Sequence, residues 1–193
     1  MPYWNHNTAY HPWLLRHARG RVLDVGCGDG LLLERLATAG CTGVGLEPDP
    51  AMAARAAERL TRVRGMAVYT SSFADFELPE AGFDTVCLVA ALHHMPLLAS
   101  MTRARDALRP GGVLLVVGLV ANRSLGDWVW SGLRMPFAWL GSRCHREVRD
   151  LGLPTAAPEH SLSEIRAAAK QLLPGASISS GLYFRYLLKW TKH

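Results

Sequence analysis

No apolar run in this chain of 193 residues reaches the length of a membrane span. The N-terminus lacks the basic, apolar and small-residue order of a secretory signal, so a cytoplasmic protein is expected. Cysteines are few: Cys27, Cys41, Cys87 and Cys144, with no C-x-x-C spacing among them. That argues against a disulfide framework, and three of the four fall in or beside predicted core strands, as buried free thiols do. The formal net charge is +5, yet the basic residues are scattered and form no Lys/Arg block. A basic but ordinary surface is therefore expected, with room left for an anionic substrate or RNA. No internal repeat is found. What is present is 49% hydrophobic and 19% charged residues, the balance of a globular chain. The length buries one core, so residues 1–193 are read as a single domain.

The chain is organised around Val22-Leu23-Asp24-Val25-Gly26-Cys27-Gly28-Asp29-Gly30. The apolar run before Asp24 does not alternate strictly, which suits a strand covered on both faces. The three glycines permit positive φ and a close ligand approach. Leu31 to Ala37 then continues as a helix with Leu32, Leu33 and Leu36 inward. Dinucleotide enzymes share such a turn, with spacing G-x-G-x-x-G and positive potential for a pyrophosphate. Here the spacing is G-x-G-x-G, Leu31 stands where the third glycine would be, and Asp24, Asp29 and Glu47 put carboxylates at the site. Such a site repels a pyrophosphate and suits a ligand carrying an ammonium and a sulfonium, S-adenosylmethionine.

Val22 to Gly30 resembles motif I of the class I S-adenosylmethionine-dependent methyltransferases. Glu47, Phe83-Asp84-Thr85-Val86, Leu92-His93-His94-Met95 and Leu108-Arg109-Pro110-Gly111-Gly112 match further family motifs in order and spacing. The resemblance implies an α/β, three-layer Rossmann-like fold. Its seven-stranded, mostly parallel sheet would have the order 3-2-1-4-5-7-6 with strand seven antiparallel. It also implies that Asp24, Gly26, Cys27 and Gly28 bind the methionyl end of the cofactor, with Pro48 and Val89 beside it. Glu47, about twenty residues past the turn, is placed to accept the ribose hydroxyls. Many family members carry an acid after strand three for the adenine amino group; here that position is Ser72, with Phe73 as a possible apolar face or plain core, and Asp75 as the alternative acceptor.

Strands are expected at 21–25, 42–46, 66–70, 83–91 and 113–119, with a closing pair within 176–191. Helices are expected at Pro12 to His17, Met52 to Leu60, Met101 to Leu108 and from Ser161 to about Leu173. Asp49 is a cap residue, and Ser161 with Glu164 fits a capping box. Residues 1–20 form an N-terminal helix or lid, with Tyr10 or His11 near the reacting centre. Residues 120–160 form an acceptor-specificity insert, with Trp128, Trp130, Met135, Phe137 and Trp139 either walling a pocket or packing on the domain. His93, His94 and Tyr10 are the candidate general bases. Adjacent histidines usually diverge, so one at most is expected to face the pocket, and without a third ligand at useful spacing no metal is expected.

The expected activity is methyl transfer to an O or N atom of a small-molecule acceptor, by a monomer or homodimer with no membrane partner. Nucleic acid is disfavoured, since no N-P-P-Y-type base-methylating motif is present. The alternatives are a non-catalytic S-adenosylmethionine-binding protein, an RNA methyltransferase and, less favoured, a nicotinamide oxidoreductase.

Overall fold

In the computed structural model, which describes residues 3–79, 82–121, 158–182 and 185–193, the first strand is β1 (Arg21–Val25). Its side chains alternate between two cores. Leu23 and Val25 join one apolar cluster and Val22 joins another across the sheet. The continuous apolar run therefore does what a strand covered on both faces requires. α1 (His11–His17) precedes it. α2 (Leu31–Thr38), β2 (Thr42–Leu46), α3 (Pro50–Leu60), β3 (Met66–Tyr69), β4 (Phe83–Val89) and α4 (Leu97–Ala107) follow. β5 (Leu108–Leu119), α5 (Leu162–Leu172), β6 (Ser177–Ser180) and β7 (Arg185–Thr191) complete the elements.

The seven strands form one sheet in the order β3-β2-β1-β4-β5-β7-β6. β1 pairs in parallel with β2 and β4, and β7 runs antiparallel to both β5 and β6. This is the three-layer Rossmann-like arrangement expected from the sequence. Local signals account for the helix starts. The Asp49 carboxylate accepts from the Met52 N–H at 2.9 Å, with Pro50 at the first helical position. Ser161 and Glu164 close both halves of a capping box on α5.

Besides shifts of one or two residues at α1, α3 and β3, three boundaries differ from the expectation with consequences for the packing. β4 ends at Val89 rather than Ala91, because Ala90 turns to φ +52°. α4 begins at Leu97, a full turn before Met101, and buries Met101 and Ala104. Arg109 to Gly112, expected as a turn before the strand, interrupts the β4–β5 register between the pairs Phe83–Leu108 and Thr85–Val113. This loop is tied to the tail of β7, since Gly111 N–H donates to Lys192 O at 2.7 Å and Lys192 N–H to Gly112 O at 2.9 Å. Cys27, Cys41 and Cys87 are buried free thiols. Cys144 and the aromatic stretch Trp128 to Trp139 lie outside the described residues. Among the described residues, no helix is long and apolar enough to cross a membrane.

Candidate functional site

The glycine turn closes over the carboxyl ends of β1 and β2. Gly26 and Cys27 N–H groups both donate to Leu46 O, at 2.8 and 3.0 Å. Gly26 has φ +70°, and a Cβ there would stand 2.9 Å from the Ala91 Cβ, so the turn touches the segment after β4. Gly30, at φ +76°, leads into α2, and a Cβ there would meet Ala56 of α3 at 3.0 Å. Glu47 is drawn into the turn: its carboxylate accepts from Gly28 N–H at 2.9 Å and from Asp49 N–H at 3.1 Å. Pro48, beside it, is exposed.

Asp24 is only 2% exposed and Glu47 7%. Burial, and then the charge of Glu47, push the Asp24 carboxyl up to about 7. The pair forms an acidic floor that favours a cationic or hydrogen-bond-donating ligand. The Cys27 thiol is held well above its usual range by burial first, then by Asp24 and Glu47, which leaves it no nucleophilic role.

Asp29 departs from the expectation. Its carboxylate takes Arg59 Nη2 at 2.5 Å and the Tyr3 hydroxyl at 3.1 Å, and Arg59 also reaches Glu34 at 3.2 Å. Its charge is offset within the protein, so the acidity of the mouth rests on Asp24 and Glu47. Arg59 is thirty residues away in sequence, and no local signal announces the pairing.

The loop after β3 leaves Ser72 half-buried, and its hydroxyl donates to Asp75 at 2.5 Å and accepts from the Asp75 N–H at 3.2 Å. The two candidate adenine acceptors are thus one hydrogen-bonded unit. Phe73 is 4% exposed within the main core, with the Arg103 guanidinium 5.3 Å from its ring. The ring is plain core, the second of its two expected roles, because α4 and the loop close around it.

Val89 ends β4 and is half-buried; a single 3-10 turn, Leu92–His94, follows. The two histidine rings do not diverge as expected. They stack with centroids 4.0 Å apart, His93 half-buried and His94 exposed, because the tight turn leaves both on one side. Burial, then His94 and Arg185, lower His93 to about 4, and its buried Nδ1 has no hydrogen-bond partner among the described residues.

Residues 3 to 17 strap the mouth. Tyr3 reaches Asp29 in the glycine turn, Asn7 accepts from Arg185 Nη2 at 2.7 Å, and the Tyr10 hydroxyl donates to Leu182 O at 2.7 Å. His11 is 4% exposed, receives Arg35 Nη1 at 2.9 Å on Nδ1, and is lowered to about 3 by burial and by that guanidinium. Trp13 and Leu14 pack on the sheet as expected. Asn7 and Arg185 carry no sequence signal, since their pairing depends on where β7 begins.

A methyltransferase-domain family model matches residues 22–112. An uncharacterized methyltransferase of Mycobacterium bovis is 33% identical over 191 residues, covering 97% of this chain and 96% of its own length. A ubiquinone biosynthesis O-methyltransferase of Azorhizobium caulinodans is 32% identical over 138 residues. That match covers 68% of this chain and 53% of the relative, about half its length. Among solved structures, the PH0226 protein of Pyrococcus horikoshii superposes with a TM-score of 0.71 at 18% identity, covering 96% of this chain and 89% of the other. Magnesium protoporphyrin IX methyltransferase of Synechocystis, solved with S-adenosylhomocysteine, gives 0.65 at 20% identity over 97% and 82%.

Proposed function

Because this chain belongs to the class I S-adenosylmethionine-dependent methyltransferases, we propose that it methylates an oxygen or nitrogen atom of a small-molecule acceptor. The ubiquinone biosynthesis O-methyltransferases among its relatives favour oxygen. The residues at the mouth fit the cofactor: a buried acid pair, Asp24 and Glu47, stands beside a glycine turn whose backbone a Cβ would obstruct. Asp24 with Gly26, Cys27 and Gly28 would hold the methionyl end. Glu47, already aligned by two N–H groups, would take the ribose hydroxyls, with Pro48 against the nucleoside. Ser72, oriented by Asp75, would meet the adenine edge, Phe73 would buttress that loop from the core, and Val89 would border the cleft. When bound, S-adenosylmethionine supplies an already activated methyl group, so these residues chiefly position and align.

An oxygen acceptor must lose a proton. His93 takes it, because its Nδ1 is a buried nitrogen with no partner among the described residues and the ring is neutral at pH 7. His94 shields the other face of the ring. Tyr10 orients the strap through Leu182, its own proton already engaged. The unpartnered Nδ1 at the mouth is the observation that carries the assignment of the base. It is tested with labelled S-adenosylmethionine and a panel of phenols, hydroxy acids and amines. His93→Ala should lower kcat on the oxygen acceptor by about a hundredfold or more, with S-adenosylhomocysteine affinity unchanged. Full turnover by the variant would remove His93 from the chemistry.

A further inference from the structure

Six of the basic residues that look scattered along the sequence are brought by the topology to one end of the molecule. Arg19 and Arg21 stand at the start of β1, Arg62 and Arg64 between α3 and β3, Arg109 in the β4–β5 interruption, and Lys192 after β7. This is the edge of the sheet opposite the mouth. Of the acids at this end, Asp84 and Asp106 are paired, while Glu58 stands one turn before Arg62 at the end of α3. Asp84 is buried and pairs with Arg109 while accepting the Arg21 N–H at 2.7 Å, and Asp106 pairs with Arg105 at 2.8 Å. Arg19 Nη2 donates to Gly111 O at 2.6 Å and Lys192 Nζ to Leu108 O at 2.5 Å. Bonds to carbonyls fix the direction of these cations without cancelling their charge. Helix macrodipoles explain a basic residue such as Arg105 in a last turn. They do not explain Arg19, Arg21 or Arg109, which lie at strand starts and in a loop.

The same end opens into a groove of about 490 Å³ between α1 and the β6–β7 pair. Trp13 and His17 wall it, Lys189 supplies a cation, and Ser177 and Thr191 supply hydroxyls; no Asp or Glu side chain lines it among the described residues. His17 is two residues from Arg19 and Thr191 adjoins Lys192, so groove and edge are continuous. Cations in a row beside an aromatic-walled groove is the combination that holds a single-stranded nucleic acid, phosphates on the cations and a base against the ring. A membrane surface fits less well. The exposed large apolar side chains among the described residues, Tyr69, Leu98 and Leu182, stand at the mouth end and would not meet a bilayer docked here.

We infer that the edge of the sheet opposite the cofactor mouth, with the groove between α1 and β6–β7, is a docking surface for single-stranded RNA. The RNA is a docking partner, not the methyl acceptor, because the acid floor and His93 are at the other ends of the strands.

Fluorescence anisotropy with a labelled oligouridylate tests this on the full chain. With about five phosphates engaged, raising salt from about 75 to about 150 mM should weaken binding roughly tenfold. The exposed pair R62E/R64E should weaken it by at least about tenfold and flatten the log–log salt slope by about 1.4. The charge-matched pair R55E/R166E, on α3 and α5 away from this edge, should change it by less than about threefold, the general field of a net charge being spread over the surface. K189A tests the groove independently and should flatten the slope by about 0.7. Melting temperature and S-adenosylhomocysteine affinity report that each variant is folded. Binding that is absent at the lower salt, or weakened equally by the two arginine pairs, overturns the inference. So does capture by phosphatidylserine vesicles with no response to RNA, which would make this end a membrane surface.

Discussion

Glu47 accepts two backbone N–H groups before any ligand arrives, at 2.9 and 3.1 Å, and is 7% exposed. A carboxylate so held loses little freedom on meeting a ligand hydroxyl. Removing it leaves Gly28 N–H without its acceptor and, under the proposed role, the ribose hydroxyls without theirs. Glu47→Ala should therefore weaken S-adenosylhomocysteine binding by about 1–3 kcal/mol in titration calorimetry. Glu47→Gln, which keeps one acceptor oxygen, should fall between. An unchanged dissociation constant for both variants would take Glu47 out of the ribose site. That Glu47 would stand at the glycine turn was legible in the sequence, because its spacing from the turn is set by one helix and two strand ends. Asp29 was not. It lies inside the same motif, yet its charge is taken by Arg59, whose approach is decided by how α3 packs on α2.

At the scale of elements, the segment 3–17 is held by the apolar face of Trp13, Leu14 and Leu15 on the sheet and by polar ties along its length. Tyr3 to Asp29, Asn7 to Arg185, and Tyr10 to Leu182 span from the glycine turn to the β6–β7 connection. Tyr10→Phe removes one tie, worth about 1 kcal/mol. The expected outcome is faster amide exchange across residues 3–17 and a raised KM, with kcat within a few-fold of the parent. A collapse of kcat at unchanged exchange would instead make the Tyr10 hydroxyl a proton carrier. The short helix behind Pro12 and the aromatic packing of Trp13 and Leu14 were readable from local pattern. The ties were not, since they join positions as much as 178 residues apart. The same limit explains β5. Its apolar run from Val113 was plain, but Leu108 joins the sheet only because Arg109 to Gly112 is pinned by the tail of β7. Phe73, an even choice between ligand face and core by sequence, is packed in the core cluster, with Arg103 of α4 beside its ring, and that packing is decided by tertiary contacts.

At the scale of the molecule, among the described residues, three buried or half-buried groups of the acid-to-neutral range titrate far from their ordinary values: Asp24 at the mouth, His11 within the strap and His93 after β4. These groups set the pH response of stability. In the native state Asp24 is raised from 3.8 to about 7, while His11 and His93 are lowered from 6.5 to about 3 and about 4. Between about pH 4 and 6.5 the unfolded chain binds two protons on these histidines and none on Asp24. The native chain binds one, on Asp24. The unfolded state therefore holds one more, and stability rises with pH. Near pH 7 the proton still shared by the two unfolded histidines matches the one half-held by native Asp24, so the rise ends there and stability is level above it. The melting temperature of the protein without ligand should therefore climb to about pH 7 and then level off. If Asp24 holds the ligand's ammonium as proposed, the bound form keeps it ionised. With S-adenosylhomocysteine the unfolded state then holds two extra protons below pH 6.5, so the rise is steeper. Asp24→Asn should give the protein without ligand that steeper rise. Melting curves at intervals from pH 5 to 8, with and without ligand, decide the matter. Equal slopes below pH 6.5 with and without ligand would mean that Asp24 is already ionised, and that its charge is balanced by a group other than the ligand.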